Sequence, residues 1–282
     1  MQHRISRTAI AGGACLVAAL AGISSVPSGA GAAPGSSGAS GEEIPSFAEF
    51  EAATAVDPLG QYIVNGDEVI ATKRQLRAFY DAMVNRRSKD TQSADLVVNT
   101  VGGQDDAWSA GEVGALTYCV SDDFGADHAA MVDAMADGAG LWESASSAID
   151  FVYVSSEDAY CDTSNDYVVF SVEPVETSDY IARAFFPSSS KSVRNVLVDD
   201  SVWSSGTWEA GDILAHELGH ALGFRHEHTR PESGTCFEDN NWRPLTPYDG
   251  ASIMHYPQCN GSSADLEFSD YDVEGVQALY GS

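Results

Sequence analysis

Two patterns of apolar residues predict a mixed α/β fold for the part of the chain after about residue 91. Short apolar runs indicate strands, and apolar positions three to four residues apart indicate helices. Strands are predicted at residues 116–120, 149–154, 167–172, 182–186 and 195–198. Helices are predicted at residues 208–222 and 127–144, the second with Ala130, Ala134, Met135, Leu141 and Trp142 toward a core.

The stretch after residue 222 is rich in glycine, proline and asparagine, so we expect it to be mostly irregular. Ser269 and Asp272 have the spacing of a capping box, which predicts a last helix that ends near Tyr280. The predicted fold class is therefore α/β (α+β). It has a mixed, twisted β-sheet, a central helix at residues 208–222, and a largely irregular C-terminal subdomain that ends in a helix.

The first ninety residues divide into three predicted segments. Residues 1–32 begin with basic residues, continue as an apolar stretch and end in small residues that suit a cleavage site. This order is typical of a signal peptide. Residues 33–43 are rich in Gly, Ala and Ser, which predicts a flexible linker. Residues 44–90 have helical patterns at 47–50 and 73–84 around a short strand at 62–64. We interpret them as a propeptide ahead of a domain at residues 91–282.

The chain carries 42 acidic residues against 14 Lys and Arg, a formal net charge of −28. This excess lies entirely after residue 89, and it argues against nucleic-acid or anionic-membrane partners. With the signal peptide, it predicts a secreted, extracellular protein that has no membrane partner after cleavage and is monomeric. Acidic pairs such as Asp122-Asp123 and Glu238-Asp239 make calcium possible, but none follows an EF-hand pattern. A solvated acidic surface explains them as well.

Four cysteines remain once Cys15 leaves with the signal peptide. An even number in an exported chain indicates two disulfides, for which three pairings exist. We favour Cys119 with Cys161 and Cys236 with Cys259, the second closing the loop between His226 and Met254.

The densest chemistry in the chain is the run from His216 to His226. His216 and His220 lie one helical turn apart on one face, so both imidazoles can reach one metal ion. Gly223 can end the helix and turn the chain, which allows His226 to approach as a third ligand. Three histidines with an open fourth position are typical of catalytic zinc. A chance HExxH on an exposed helix is the alternative for the short motif alone.

Glu217 lies beside this predicted site. Zinc lowers the pKa of a bound water, and Glu217 can then take its proton while the resulting hydroxide attacks a peptide carbonyl. The same carboxyl group can later protonate the leaving amine. The sequence thus predicts a zinc-dependent endopeptidase whose partners are protein or peptide substrates.

The long motif and the segment from Ser252 to Tyr256 resemble those of the metzincin zinc metalloproteases, and the astacins most closely. Residues 181–187 and 270–281 are similar to segments of the matrixins, another metzincin family. The resemblance implies a metzincin-type catalytic domain with a zinc-bearing active-site helix. It also implies that Met254 packs beneath the histidines and that Tyr256 is an extra zinc ligand that moves to hold the oxyanion.

The resemblance has three further implications. Residues 195–199 would be an edge strand that pairs with extended substrate. Glu227 would bind the new N-terminus after activation. The alternatives for Glu227 are a solvent-exposed side chain and one that is paired within the structure. Asp67, in Val64-Asn65-Gly66-Asp67, would hold the zinc position that water needs and keep a zymogen latent. A plain Asn-Gly-Asp turn is the alternative for that segment.

Three functions therefore remain open from the sequence. The first is a secreted zinc endopeptidase made as a zymogen. The second is a non-catalytic, zinc-stabilised binding module, for which Glu217 would have no purpose. The third is a zinc hydrolase acting on some other bond.

Overall fold

The structure is a computed structural model, and it describes residues 45–84, 96–206, 208–236 and 238–282. The predicted signal peptide (1–32) and linker (33–43) lie outside the described residues. We call residues 45–84 the N-terminal segment and residues 96–282 the main domain. Both belong to one unit, which runs from Ile44 to Ser282.

The N-terminal segment has two helices and a small antiparallel sheet. Helix α1 (Phe47–Ala53) begins at Ser46, whose side chain forms a capping box with Glu49. Side chains of Val64, Leu76 and Phe79 form its core. The predicted helices and the strand at 62–64 are confirmed. The remaining elements are strands β1 (Ala55–Val56), β2 (Tyr62–Val64) and β3 (Glu68–Ile70), and helix α2 (Lys73–Val84).

The main domain is built on a five-stranded sheet, with a smaller three-stranded sheet beside it. The smaller sheet is antiparallel, in the order β11-β4-β5. In chain order the elements are β4 (Val97–Val101), β5 (Gln104–Asp105), α3 (Ala110–Val113), β6 (Leu116–Val120), α4 (His128–Ala145), β7 (Phe151–Tyr153), β8 (Phe170–Val175), β9 (Ala182–Arg183), β10 (Asn195–Asp199), α5 (Ala210–Ala221), β11 (Trp242–Pro244) and α6 (Asp270–Tyr280).

The large sheet has the order β7-β6-β8-β10-β9. Its strands are parallel except β9, which runs antiparallel to β10. The expectation that residues 195–199 form an edge strand is wrong, because β10 is paired on both sides. The edge on this side is β9, which is only two residues long. The predicted mixed sheet is thus confirmed, but its edge strand on this side is β9 and not β10.

Helices α4 and α5 cross closely at Gly138. A Cβ atom there would lie 2.8 Å from the Ala215 nitrogen and 2.9 Å from the Gly211 carbonyl oxygen, so only glycine permits this approach. The predicted inward face of α4 is largely correct, with Trp142 and Met135 fully buried. Ala130, however, is exposed, and Met131 on the next position faces the core.

The residues after α5 form short turns, as predicted, and two disulfides join Cys119 to Cys161 and Cys236 to Cys259. This is the favoured pairing. Helix α6 begins at Ser269, whose side chain and that of Asp272 form the predicted capping box. Asp272 also accepts hydrogen bonds from the Ser252 hydroxyl and the Ile253 N–H, so α6 holds the segment that leads to Met254. Among the described residues, no helix has the length and apolarity needed to cross a bilayer.

Candidate metal site

Helix α5 and the turn after it bring three histidines to one point. His216 and His220 lie one turn apart on α5 and are buried, as the spacing predicted. Gly223 follows with φ of 101°, and any Cβ atom at this position would overlap the carbonyl oxygen of Asp106. Glycine is therefore required here. The reversal of the chain at Gly223 directs the buried His226 back toward the other two imidazoles.

Each imidazole is held by its Nδ1 atom. That of His216 donates to the Ile253 carbonyl oxygen at 2.7 Å, and that of His220 donates to the Phe224 carbonyl oxygen at 2.8 Å. Nδ1 of His226 lies 2.6 Å from Oε1 of Glu238. Because carbonyl and carboxylate oxygens accept the proton of Nδ1, the Nε2 lone pairs face the common centre, as in metal-binding histidines.

The carboxylate of Asp67 lies at that centre. It is carried on the turn between β2 and β3, where Asn65 and Gly66 both have positive φ, as the Asn-Gly pair predicted. Its oxygens lie 3.2 Å from Nε2 of His216, 3.4 Å from that of His220 and 3.2 Å from that of His226. The turn is therefore real, and it also inserts a carboxylate among the histidines.

These four side chains fit a tetrahedral cation. Ligands about 2.0–2.1 Å from a tetrahedral zinc lie roughly 3.3 Å apart, which matches the observed separations. Nε2 of His220 and Oδ1 of Asp67 are buried and have no hydrogen-bond partner among the described residues. Both are acceptors in this arrangement, so a cation would satisfy them. Burial lowers the pKa of His216 to about 4, which keeps this imidazole neutral, as a metal ligand must be.

Glu217 points into the same site but has a different environment. Its Oε2 atom is buried and without a hydrogen-bond partner in the described part of the chain. Burial and the negative charge of Asp67 raise the pKa of Glu217 well above its usual range. The pKa of Asp67 is shifted in the opposite direction from that of Glu217. Burial raises the pKa of Asp67, but His226 and His220 outweigh it and hold that pKa well below the usual range. With Asp67 in place, the protonated form of Glu217 is favoured, and a carboxyl group that already holds a proton cannot take one from water.

Met254 and Tyr256 both lie close to the histidine-bearing chain. Met254 is fully buried beneath α5, where a Cβ atom on Gly219 would overlap its sulfur. The Tyr256 hydroxyl donates a short hydrogen bond to Oδ2 of Asp67. The side chain of Tyr256 is thus within reach of the centre, and its phenol contacts the carboxylate of the N-terminal segment.

Glu227 is paired within the structure. Its Oε1 accepts from Arg230 Nη1 at 3.0 Å and from the Asp249 N–H at 3.0 Å, and the whole side chain is buried. In the uncleaved chain Glu227 is thus paired within the structure, and its binding of the new N-terminus after activation stays a prediction.

Sequence reasoning missed one network at the site. Glu238 contacts His226, and its other oxygen accepts from Arg225 Nη2 at 2.9 Å. Arg225 also donates to Asp239 and to Glu68 of the N-terminal segment. The pair Glu238-Asp239, considered for calcium, thus binds a buried arginine instead. Nothing in the spacing indicated this, because Glu238 is twelve residues from His226 in irregular chain.

Comparison with known proteins agrees with this geometry. Residues 143–266, which include the three histidines and Met254, match the model Reprolysin_5 of metallo-peptidase family M12. This part of the chain is thus similar to M12 metallopeptidase domains. Its fold is the metzincin-like mixture of helix and sheet that the motif resemblance implied.

The chain is also similar to several curated proteins. Bone morphogenetic protein 1 of Xenopus laevis is 27% identical over 191 residues, covering 60% of this chain and 24% of that protein. Zinc metalloproteinase nas-30 of Caenorhabditis elegans is 40% identical over 63 residues, covering 16% and 8%. High choriolytic enzyme 1 of Oryzias latipes is 43% identical over 60 residues, covering 16% and 22%. The chain thus spans about a quarter or less of each of these relatives.

Among solved structures, that of myroilysin is similar with a TM-score of 0.46 and 16% sequence identity. The match covers 66% of this chain and 98% of that one.

Proposed function

We propose that the chain is a secreted zinc endopeptidase that is made as a latent precursor. The observation that carries this proposal is the placement of three Nε2 atoms around one point with the Asp67 carboxylate as the fourth group. His216, His220 and His226 would hold the zinc ion. When bound, zinc supplies Lewis-acid activation of water and of the scissile carbonyl.

Two residues of the chain carry the remaining chemistry. Glu217 takes a proton from the attacking water and delivers it to the leaving amine, a role that requires its carboxyl group to be ionised first. The Tyr256 hydroxyl donates a hydrogen bond to the oxyanion that develops on the substrate carbonyl. Both side chains face the place that Asp67 occupies, so substrate and Asp67 exclude each other.

Residues 44–90 would act as the propeptide. Asp67 would be the fourth ligand of a zinc ion, and its carboxylate accepts the hydrogen bond of the Tyr256 hydroxyl and raises the pKa of Glu217. One carboxylate thereby blocks all three parts of the machinery. Cleavage after residue 84 and release of the N-terminal segment would restore them.

Activity is tested with the activated protein and its Glu217→Gln variant, each confirmed to contain zinc. We expect casein hydrolysis by the parent and a loss of about three orders of magnitude or more in the variant, since the general base is removed and the shape is kept. Equal rates would contradict the assigned role of Glu217. If neither protein cleaves casein or peptides although zinc is bound, the endopeptidase function is wrong. Hydrolysis of esters or other acyl compounds would then indicate a zinc hydrolase of another bond, and no hydrolysis at all would indicate the non-catalytic binding module.

Latency is tested in the uncleaved chain with Asp67→Asn. We expect faster conversion to the mature form, because a neutral amide is a poorer zinc ligand than a carboxylate. Asp81→Asn is the matched control, since Asp81 lies on the outer face of α2 and pairs with Arg77. Conversion is followed by gel electrophoresis, and equal rates for the two variants would contradict a role for Asp67 in latency.

A further inference from the structure

A second group of possible metal ligands lies where strand β6 ends. It consists of Asp122 and His128, which are at the two ends of the turn that leads into α4, and Asp158, which follows β7. One ligand atom of each side chain lies within 4.8 Å of the other two. The group shares no residue with the histidine site on α5, so it is a separate feature of the main domain.

Nε2 of His128 faces three oxygen atoms at once. It lies 3.2 Å from Oδ2 of Asp158 and 3.8 Å from Oδ1 of Asp122. The third oxygen is the carbonyl of Val120, the last residue of β6, at 3.2 Å. A ring nitrogen carries at most one hydrogen, so it cannot satisfy three acceptors. A metal ion would contact all four atoms, because ligands about 2.1 Å from one ion lie roughly 3.0–3.5 Å apart.

Asp158 is fixed in position but lacks a permanent positive partner. Its side chain is only 8% exposed. Oδ1 accepts from the Val120 N–H at 3.0 Å, and Oδ2 accepts a short hydrogen bond from the Tyr153 hydroxyl. Among the described residues, His128 is the only basic group within salt-bridge distance of Asp158 or Asp122. Two carboxylates thus share one imidazole, and a bound cation would compensate the excess negative charge.

The segments that carry these atoms are held together by other contacts. Cys119, next to Val120, forms a disulfide with Cys161, which is three residues after Asp158. Helix α4, which begins at the histidine, packs its buried face into the main core. Ligands held in this way lose little conformational freedom when they bind an ion. Asp122 differs from them, because its side chain is 64% exposed and leaves the ion open to exchange with solvent.

We infer that Asp122, His128 and Asp158 form a second metal site, which binds a divalent transition-metal ion such as manganese or zinc. One imidazole with carboxylate and carbonyl oxygens suits these ions, whereas calcium and magnesium prefer oxygen ligands alone. The ion joins the turn at Ser155–Tyr160 to the start of α4, so it stabilises the fold and takes no part in hydrolysis. With one nitrogen ligand it binds more weakly than an ion at the three histidines, and dialysis removes it.

The test uses the uncleaved chain, loaded with zinc and dialysed, and Mn²⁺ as the probe. The electron paramagnetic resonance signal of free Mn²⁺ broadens on binding, so a titration counts the bound ions. We expect one Mn²⁺ per chain, because zinc binds more tightly than manganese and keeps the histidine site filled. His128→Gln and Asp122→Asn should each weaken Mn²⁺ binding about tenfold or more, since each removes a ligand. Asp123→Asn, at the exposed neighbouring position, is the matched control and should bind Mn²⁺ like the parent.

Stability gives a second measurement. Mn²⁺ at about a hundred times its Kd should raise the melting temperature of the parent by about 5 °C or more, and that of Asp122→Asn by clearly less. Asp122 is exposed, so this variant tests the site even where His128→Gln does not fold.

Three results would overturn the inference. If the parent shows no saturable Mn²⁺ binding, His128 only donates a hydrogen bond in this cluster. Equal weakening in Asp123→Asn and Asp122→Asn would assign the binding to the acidic surface in general. Displacement of Mn²⁺ by an equimolar amount of calcium would indicate oxygen ligands alone and exclude His128 as a ligand.

Discussion

The two parts of the main domain that meet at the metal site are stabilised in different ways. Among the described residues, buried apolar side chains predominate in residues 96–222, whereas buried polar and charged ones outnumber them in residues 223–269. The first part is a sheet-and-helix core around Trp142, and the second is short turns tied by Arg225, Arg230 and the Cys236–Cys259 disulfide. The elements that hold two of the histidines are therefore rigid by packing. The third histidine lies among turns that are held by electrostatic pairing and a cross-link.

The largest effect on stability is expected from a substitution at Trp142, in the apolar part. This side chain is fully buried, stacks on Phe224, contacts Phe268 edge-on and donates to the Ala215 carbonyl oxygen. Trp142→Ala should lower the free energy of unfolding by about 4 kcal/mol, because a large cavity forms and a buried hydrogen bond to α5 is lost. Urea denaturation measures this change in the free energy of unfolding. Trp203→Ala, at a position 39% exposed, is the control and should change little.

The next effect is expected from the disulfide of the C-terminal turns. Replacing Cys236 and Cys259 by serine should cost about 3 kcal/mol of stability, since the cross-link constrains the unfolded chain. Because this bond connects the region after His226 to the region after Met254, zinc retention during dialysis should also fall. The matched pair Cys119→Ser with Cys161→Ser should cost a similar free energy and leave zinc retention unchanged. Equal zinc loss in both double variants would contradict the division into two parts.

Glu238→Gln should have a smaller effect that is confined to the metal site. The amide cannot replace the charged contact to His226 Nδ1, so we expect zinc affinity to fall about ten- to a hundredfold in the activated protein. Competition with a chromophoric chelator measures the change. Glu232→Gln, which removes a more exposed carboxylate 3.7 Å from Arg230, is the control and should bind zinc like the parent. Unchanged affinity in Glu238→Gln would mean that backbone geometry alone orients His226.

The smallest effect is expected where the two parts meet at the surface. Arg243 and Asp105 form an ion pair across them, at 2.6 Å, with side chains that are half and one-third exposed. Exposed pairs contribute little because water and salt screen them. Arg243→Gln should therefore change the free energy of unfolding by about 0.5 kcal/mol or less in thermal or urea melts. A larger loss would show that the two parts are coupled through this contact.

The apolar part is also the part that the sequence predicts best. The strand at 116–120 and the helices around Trp142 and His216 follow from periodicity, since their side chains face a core. Strand pairing was less accessible: residues 195–199 were expected at an edge, but β9 lies outside them. A strand at 182–186 was predicted, and β9 is its first two residues, but the order of strands depends on contacts distant in the sequence.

At the site, local sequence motifs predicted only those functional groups that are close together in the chain. The spacing of His216, His220 and His226 predicted their convergence, and Gly223 explained the turn. Glu238 and Arg225 were not found, because their roles arise from partners brought together by irregular chain or by the N-terminal segment. A buried salt bridge has no period in sequence, so only the folded structure identifies it.

Asp67 is 149 positions before His216, yet both belong to one polypeptide. A tethered group is present at its site at an effective concentration set by the chain, whatever the amount of protein in solution. Under the proposed latency, dilution into a large extracellular volume would therefore not activate the precursor. A separate inhibitor would dissociate under the same conditions, whereas this block ends only when a peptide bond is cut.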